Sequence, residues 1–285
     1  MNLVSKLLAP LCSLIALTGC SAVDVLNFTI PKSGYTVHKD IAYGADKSQK
    51  LDVYIPDKKR ASGCVVLFFY GGSWQTGSKD NYLFAGEAFS SLGCVTVLAE
   101  YRRYPEVKFP VFLQDSAKAL AWTHKHVGEY GGRADNIFVV GHSAGAYNAM
   151  MLAADASLLK AEGGSSGWIR GVIGIAGPYD FLPFIDDKIK DIFSTVKAED
   201  TQPVNYVHAN MPPVLMATGT KDTEVLPRNT RLMAAKMEKF GNKPVVKIYE
   251  GAGHVGIALS LARGFRNKTP VLQDSANFIA LHEKK

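Results

Sequence analysis

Residues 137–154 read IFVVGHSAGAYNAMMLAA, and this stretch decides the fold. Its first four residues are apolar, as in a buried strand, and residues 144–154 are rich in alanine, as in a helix. GHSAG, residues 141–145, lies between them and fits the pattern G-x-S-x-G. A turn this tight needs small neighbours around Ser143, and it leaves the serine hydroxyl exposed above the sheet.

Short apolar runs recur on either side of this unit. They cover residues 65–69, 95–99, 172–175, 214–217 and 245–249. Because nearly continuous apolar strands are buried on both faces, these runs indicate a mostly parallel sheet covered by helices. Helical stretches alternate with them, at residues 82–92, 111–130, 229–240 and 271–282. Residues 35–43 and 49–55 alternate like antiparallel strands. The sequence therefore predicts a doubly wound α/β domain.

Length and composition fit one globular domain over residues 35–285, since the chain has 285 residues and 47% are hydrophobic. Residues 178–213 are too long for an ordinary connection. We expect a small lid over the carboxyl edge of the sheet, where α/β proteins place their sites; a passive surface excursion is the alternative. The formal charge of +6 is scattered, so nucleic acid is not an expected partner.

Residues 1–19 have the pattern of a signal peptide, whose apolar core is too short to span a bilayer. It ends in LTGC, residues 17–20, which resembles the lipobox of bacterial lipoproteins. That resemblance implies cleavage before Cys20, acylation of Cys20 and a tether over residues 20–34. Ser21 in the next position implies sorting to the outer membrane. We therefore expect a lipid anchor on the periplasmic side of the bacterial envelope.

Export also bears on Cys64 and Cys94, each of which opens an apolar run. If the two runs are neighbouring strands, the two sulfurs lie close together. An oxidising compartment permits a disulfide, but parallel neighbours rarely offer the necessary geometry. The sequence favours two buried free thiols, with the disulfide as the alternative.

A serine hydroxyl needs a base at neutral pH, and folds with this motif place an acid and then a histidine later in the chain. Asp222 follows the run 214–217, and His254 lies in a flexible glycine-rich loop after the run 245–249. Both stand at carboxyl ends of strands, so we expect them to converge on Ser143. His254 is predicted to take the serine proton while Asp222 orients the imidazole. Glu224, in the same loop, is the alternative acid.

The remaining histidines and buried acids are assigned other roles. His142 flanks Ser143 but points away from its hydroxyl, so it is predicted to pack or to form hydrogen bonds. Asp180 is a candidate to line the site, and Asp115 is expected to be structural. The histidines without a matching loop or in helical patterns are His38, His124, His126, His208 and His282.

A second motif, YGGSW at residues 70–74, follows the buried run 65–69, where folds of this kind carry an oxyanion loop. Glycines let backbone amides approach a substrate closely. We predict that the amides of Gly72, Ser73 and Ala144 form the oxyanion hole. A tight turn with a core tryptophan is the alternative.

Together the motifs resemble the esterase/lipase group of α/β-hydrolases with an H-G-G-x-W loop, which has kynurenine-formamidase-like and feruloyl- or acetyl-esterase-like members. The resemblance covers residues 51–54, 71–74, 101–102, the GHSAG turn at 141–145, Asp222 and residues 253–254. It implies the α/β-hydrolase fold and no metal or organic cofactor. Two positions depart from the group, since Tyr70 replaces a histidine that braces the loop and Glu100 replaces an aspartate.

The sequence thus predicts a serine carboxylic ester hydrolase that acts through an acyl-enzyme on small to medium esters. Candidates for an apolar pocket in the insertion are Phe181, Phe184, Ile185 and Phe193, and the core of the lid is the alternative place for them, favoured by the residues alone. The first alternative keeps the machinery but cleaves an aryl formamide. The second is a hydrolase fold retained as a binding module, which Tyr70 favours and the complete set of serine, acid and histidine disfavours.

Overall fold

The computed structural model describes residues 26–27, 29–57 and 62–284, and in this part of the chain eight strands form one sheet. The strands are β1 (Tyr35–Ala42), β2 (Lys50–Pro56), β3 (Val65–Phe69), β4 (Val95–Ala99), β5 (Ile137–His142), β6 (Ile169–Ile175), β7 (Val214–Gly219) and β8 (Val245–Tyr249). Their order is β1-β2-β4-β3-β5-β6-β7-β8. β2 pairs antiparallel with β1 and β4, and the other pairings are parallel, which confirms the predicted mostly parallel sheet.

Helices connect these strands, and the predicted long ones are confirmed. The helices of the described residues are α1 (Leu83–Ser91), α2 (Val111–His126), α3 (Ala144–Ala154), α4 (Ala156–Ala161), α5 (Asp187–Ile192), α6 (Arg228–Lys239), α7 (His254–Leu259) and α8 (Val271–His282). The six-residue helices α4, α5 and α7 were not predicted. The stretch 111–130 divides into α2 and a 3₁₀ turn, Val127–Tyr130. The loop predicted around His254 is wrong in one respect, because α7 begins at that residue.

The core lies on both faces of the central strands. Every residue of β3, β4 and β5 is buried. Because successive side chains of a strand point to opposite faces, complete burial means that both faces are covered. Helix α1 packs against β4, and helix α3 packs against β5 and β6. Burial on both faces is the physical reason why these strands read as nearly continuous apolar runs in the sequence.

The insertion at residues 178–213 contains α5 and two 3₁₀ turns, Ala198–Thr201 and Pro203–Tyr206. Its base is fixed by buried amides. The Asn229 side-chain oxygen accepts from the Tyr179 and Asp180 amides at 3.0 and 2.9 Å, and the Gln202 oxygen accepts from the Phe181 amide at 2.8 Å. Its tip is open to solvent, with Ile185 91% exposed.

The expectation of two free thiols is wrong, because Cys64 and Cys94 form a disulfide. β3 and β4 pair in register with Val65 opposite Val95, so the cysteines that precede them also face each other. Their Cα atoms are 4.7 Å apart, within the range that a disulfide can bridge. The pairing register of β3 and β4, which the sequence does not reveal, therefore determines that the two cysteines form a disulfide.

The predicted signal peptide, the acylated Cys20 and most of the tether lie outside the described residues. Across the described ranges, no helix is both long enough and apolar enough to cross a membrane. The lipid anchor therefore stays a prediction.

Candidate active site

Ser143 occupies the sharp turn between β5 and α3. Its backbone has φ 54° and ψ −121°, a region that non-glycine residues rarely adopt. A Cβ at Gly145 would lie 2.0 Å from the Phe69 carbonyl oxygen, and one at Gly141 would lie 2.2 Å from the Gly145 oxygen. The two outer glycines of the motif are thus required by close backbone packing, as the sequence predicts.

The three predicted triad residues come together. His254 Nε2 lies 2.9 Å from Ser143 Oγ, and His254 Nδ1 lies 2.8 Å from Asp222 Oδ2. In this arrangement the serine hydroxyl donates to Nε2, and Nδ1–H donates to the carboxylate. Ser143, Asp222 and His254 are all buried. The arrangement can remove the serine proton and stabilise the imidazolium that results.

Asp222 is held by its own loop. Its Oδ1 accepts hydrogen bonds from the backbone amides of Glu224 at 3.1 Å and Val225 at 2.8 Å, which leaves Oδ2 for His254. The Glu224 carboxylate instead lies 3.9 Å from His254 Nε2, and its side chain is 64% exposed. Asp222 therefore has the geometry of the orienting acid, and Glu224 does not.

The two remaining candidate acids, Asp115 and Asp180, form no hydrogen bond with the triad. Asp115 is buried and accepts from the Arg102 amide and guanidinium at 2.8 to 2.9 Å and from the Gln49 side chain at 2.7 Å. This network agrees with the structural role expected for it. Asp180 contributes its backbone amide to Asn229 and is not among the residues that line the cavity beside Ser143.

His142 points away from the serine hydroxyl and forms two hydrogen bonds. Its Nδ1 lies 2.8 Å from the Tyr82 hydroxyl, and its Nε2 lies 3.1 Å from the His254 carbonyl oxygen. Burial lowers the pKa of His142 to about 3, so the ring is neutral at neutral pH. The predicted hydrogen-bonding role agrees with this geometry. The remaining histidines form no part of the site; His124, for example, stacks on Trp168.

The loop at residues 70–74 approaches Ser143 with unusual backbone angles. Ser73 and Trp74 have φ of 52° and 56°, and Gly72 has φ of 136°, where a Cβ would lie 2.2 Å from the Thr76 carbonyl oxygen. The Trp74 indole N–H donates to the Asn148 side chain at 3.1 Å and fixes the loop on α3.

Three amides are available for an oxyanion. Within the described ranges, the backbone amides of Gly72, Ser73 and Ala144 donate to no protein acceptor. Ser73 and Ala144 line the cavity beside Ser143, whereas Gly72 is not among the lining residues. The geometry is compatible with the predicted oxyanion hole, and its role stays a prediction.

The two departures from the group pattern contact each other. The Tyr70 hydroxyl donates to Glu100 Oε2 at 2.6 Å, and the Lys79 amide donates to Glu100 Oε1 at 2.8 Å. One carboxylate therefore joins Tyr70, the first residue of the loop, to Lys79, which lies five residues beyond the last. Burial raises the pKa of Glu100, and the hydrogen bond from Tyr70 offsets part of that rise. Sequence reasoning identified both residues but not their pairing.

A cavity of about 360 Å³ opens beside Ser143. Three of the four predicted pocket residues line it, namely Phe181, Phe184 and Ile185, whereas Phe193 is buried behind them. Residues 223–226 also line the cavity, and this could not be predicted because they follow Asp222 in a loop without periodicity; of them, only Glu224 was considered, as an alternative acid. The described residues contain no group of three or more His, Cys, Asp or Glu side chains placed to hold a metal ion.

This fold and this serine–histidine–aspartate geometry define the α/β-hydrolase class. The sequence profile of the BD-FAE family matches residues 51–237, which is more than half of the chain. The chain therefore belongs to the BD-FAE family.

Two sequence relatives and one solved structure of the same fold are also similar to this chain. A probable isoprenylcysteine alpha-carbonyl methylesterase of Arabidopsis thaliana is 27% identical over 78% of this chain and 52% of its own length. Esterase LipC of Mycobacterium tuberculosis is 27% identical over 77% of this chain and 60% of its own. The apo form of Thermogutta terrifontis esterase 2 superposes with a TM-score of 0.72 at 23% identity, over 88% of this chain and 96% of that one. The chain thus spans only 52% and 60% of the lengths of the two sequence relatives.

Proposed function

We propose that the protein is a serine carboxylic ester hydrolase that works through an acyl-enzyme on Ser143. The observation that carries the proposal is the continuous line of hydrogen bonds from Ser143 through His254 to Asp222, at 2.9 and 2.8 Å. A protein that only binds a ligand needs neither a strained serine nor a buried carboxylate behind a histidine. The sequence relatives, which are named as esterases, support the same reaction.

The chemistry follows from the hydrogen-bond directions. Ser143 Oγ attacks the ester carbonyl while its proton passes to His254 Nε2, and Asp222 stabilises the imidazolium. The oxygen of the tetrahedral intermediate accepts from the free amides of Ser73 and Ala144, with Gly72 as a further donor. His254 then protonates the leaving alcohol, and water, deprotonated by His254, releases the acid from the serine.

The shape of the cavity supports small to medium esters. Its volume of about 360 Å³ lies at the lower end of the range for small-molecule sites, and most of its lining is apolar. An acyl chain of a few carbons can bury there against Phe181 and Phe184. An aryl formamide would use the same machinery, and comparison of N-formylkynurenine with an acetyl ester separates the two reactions.

A labelling experiment tests the proposal. A fluorophosphonate probe should modify the protein and fail on Ser143→Ala. Asp222→Asn should lower ester turnover by about 10³–10⁴-fold, since the neutral amide no longer enforces the right tautomer. Glu224→Gln is the matched control and should lose less than tenfold. Equal losses in the two variants would exclude the proposed triad.

We also propose that the protein is exported and anchored by an acylated Cys20. The disulfide between Cys64 and Cys94 supports this location, because structural disulfides persist in oxidising compartments and are rare in the cytosol. The test follows the full chain and Cys20→Ala in cells fed a labelled fatty acid. The label should enter only the unmodified chain, and the variant should leave the membrane fraction. Equal labelling would rule out Cys20 as the acylation site.

A further inference from the structure

We propose that Tyr82 and His142 form a positioning relay that holds His254 and the oxyanion loop in register with Ser143. The proposal rests on the proposed function and adds two residues that do not line the substrate cavity, although the His142 ring packs against the His254 ring with 4.9 Å between their centroids. Tyr82 is the last residue of the 3₁₀ turn Lys79–Tyr82, which precedes α1. His142 is the last residue of β5, and the His254 carbonyl lies at the start of α7. The relay therefore joins three elements that are far apart in the sequence.

The hydrogen-bond directions in the relay are fixed by chemistry. The His254 carbonyl oxygen can only accept, so His142 Nε2 carries the proton over the 3.1 Å contact. A neutral imidazole then has a free lone pair on Nδ1, and the Tyr82 hydroxyl donates to it over 2.8 Å. The Tyr82 hydroxyl thereby selects the tautomer that binds the His254 backbone.

The segment that carries the base is held to the loop after β7, since the Lys221 amide donates to the Ala252 carbonyl oxygen and the Gly251 amide donates to Thr220 Oγ1, both at 2.9 Å. His142 adds a hydrogen bond to the first residue of α7. α7 has six residues, and it follows the glycine-containing turn at residues 251–253. Val255, next to His254, is 54% exposed. By contrast His142 is fully enclosed and adjoins Ser143 in the chain, so its hydrogen bond ties the backbone of the base directly to the nucleophile.

The oxyanion loop rests on the same ring. A Cβ at Gly71 would lie 3.0 Å from His142 Nδ1 and 3.0 Å from Ser143 Cβ, so the loop backbone packs against the imidazole edge. A shift of the His142 ring would therefore move the loop and the base together. Neither Tyr82 nor His142 lines the cavity, so their loss should change the rate of chemistry and spare substrate binding.

Steady-state kinetics of the full chain test the relay. Tyr82→Phe should lower kcat by about fivefold and His142→Leu by about fiftyfold, with KM within twofold. His142→Gln keeps a donor for the His254 carbonyl and should recover much of the loss. Tyr82→Phe added to His142→Leu should cost nothing further, because the relay is already broken. Tyr35→Phe, which removes a 2.6 Å hydroxyl bond to Pro31, is the matched control and should keep full kcat.

An unchanged kcat in a folded Tyr82→Phe variant, or losses that add in the double variant, would overturn the relay. Nitrogen NMR of labelled histidine provides a readout that does not depend on turnover. His142 should show a protonated Nε2 and a bare Nδ1 at neutral pH, and the opposite tautomer would overturn the assignment. This readout stands even if His142→Leu fails to fold. An unmodified chain that shows the expected tautomer but no esterase activity would count against the proposed function and not against the hydrogen-bond geometry.

Discussion

At the scale of single residues, Tyr70 and Glu100 show how a loop can keep its shape with altered side chains. Each residue alone departs from the pattern of the group that the sequence resembles. In the structure the phenol donates to the carboxylate at 2.6 Å, and the same carboxylate accepts from the Lys79 amide. A phenol at this position therefore braces the loop. Because of this contact, the tyrosine at position 70 is no longer a reason to favour a binding module over an enzyme.

Tyr70→Phe should lower kcat on a small ester by about threefold to tenfold, because the first residue of the loop loses its hydrogen bond to Glu100, and should lower the free energy of unfolding by about 1–2 kcal/mol. Tyr43→Phe is the matched control, since its hydroxyl donates to the Glu100 backbone oxygen at 2.6 Å. The two variants should lose similar stability, measured by urea denaturation. A fall in kcat shared equally by both would show that the bond from Tyr70 has no special effect on the loop.

The triad residues could be predicted from sequence, and their supporting contacts could not. Ser143, Asp222 and His254 follow strands of a parallel sheet in a fixed order, so the topology alone brings them to one edge. Tyr82 and His142 meet across 60 residues, and their function depends on a tautomer. No local pattern encodes such a contact. Glu100 was recognisable as unusual, but its partner required the three-dimensional structure.

At the scale of elements, the disulfide joins the amino ends of β3 and β4, whereas the site lies at the carboxyl ends of the strands. Cys64→Ala with Cys94→Ala should lower the free energy of unfolding by roughly 3–4 kcal/mol, the cost that chain entropy gives for a loop with a sequence separation of 30. Activity of the folded protein at 25 °C should stay within twofold.

Reductant provides the control for this prediction. It should shift the unfolding midpoint of the unmodified chain toward that of the double variant and leave the double variant unchanged. Titration of the unfolded, unreduced domain should find neither Cys64 nor Cys94 as a free thiol. Two free thiols at these positions would contradict the disulfide.

The insertion offers a contrast between two phenylalanines that stack on each other at 5.5 Å. Phe184 lines the cavity, and Phe193 is buried beneath it. Phe184→Ala should raise KM for a butyrate ester by about tenfold and less for an acetate ester, because it removes apolar surface from the acyl chain. Phe193→Ala should instead lower the free energy of unfolding by about 3–5 kcal/mol. Kinetics on both esters and urea denaturation check the pair, and a reversed pattern would place the acyl chain elsewhere.

Short elements were the hardest to predict. α4, α5 and α7 have six residues each, fewer than two turns, so apolar periodicity has too few positions to appear. The strands and long helices were predictable because burial on both faces or on one stripe repeats over many residues. At the amino ends of β3 and β4 the sequence shows the two cysteines, but only the pairing register determines their bond.

At the scale of the whole molecule, stability should fall on the acid side. The pKa of His142 drops from 6.5 to about 3 on folding. Below about pH 6.5 His142 binds a proton in the unfolded chain, whereas in the folded chain it stays neutral down to about pH 3. The contribution of His142 to the free energy of unfolding is therefore complete above pH 6.5. It is lost as the pH falls, by up to about 1.4 kcal/mol per pH unit.

Urea denaturation at pH 7, 5 and 4 checks this sign. His142→Gln does not titrate, so its stability should change less over this range than that of the unmodified chain. Parallel curves for the unmodified chain and His142→Gln would show that other groups govern acid unfolding.

The central claim is that Ser143 cleaves esters. The most direct test is the initial rate of p-nitrophenyl acetate hydrolysis by the full chain, purified in detergent, beside its Ser143→Ala variant. We predict a rate at least about 10³-fold above that of the variant, with both proteins equally folded. Equal rates in the two folded proteins, on this ester and on the butyrate ester, would contradict the account.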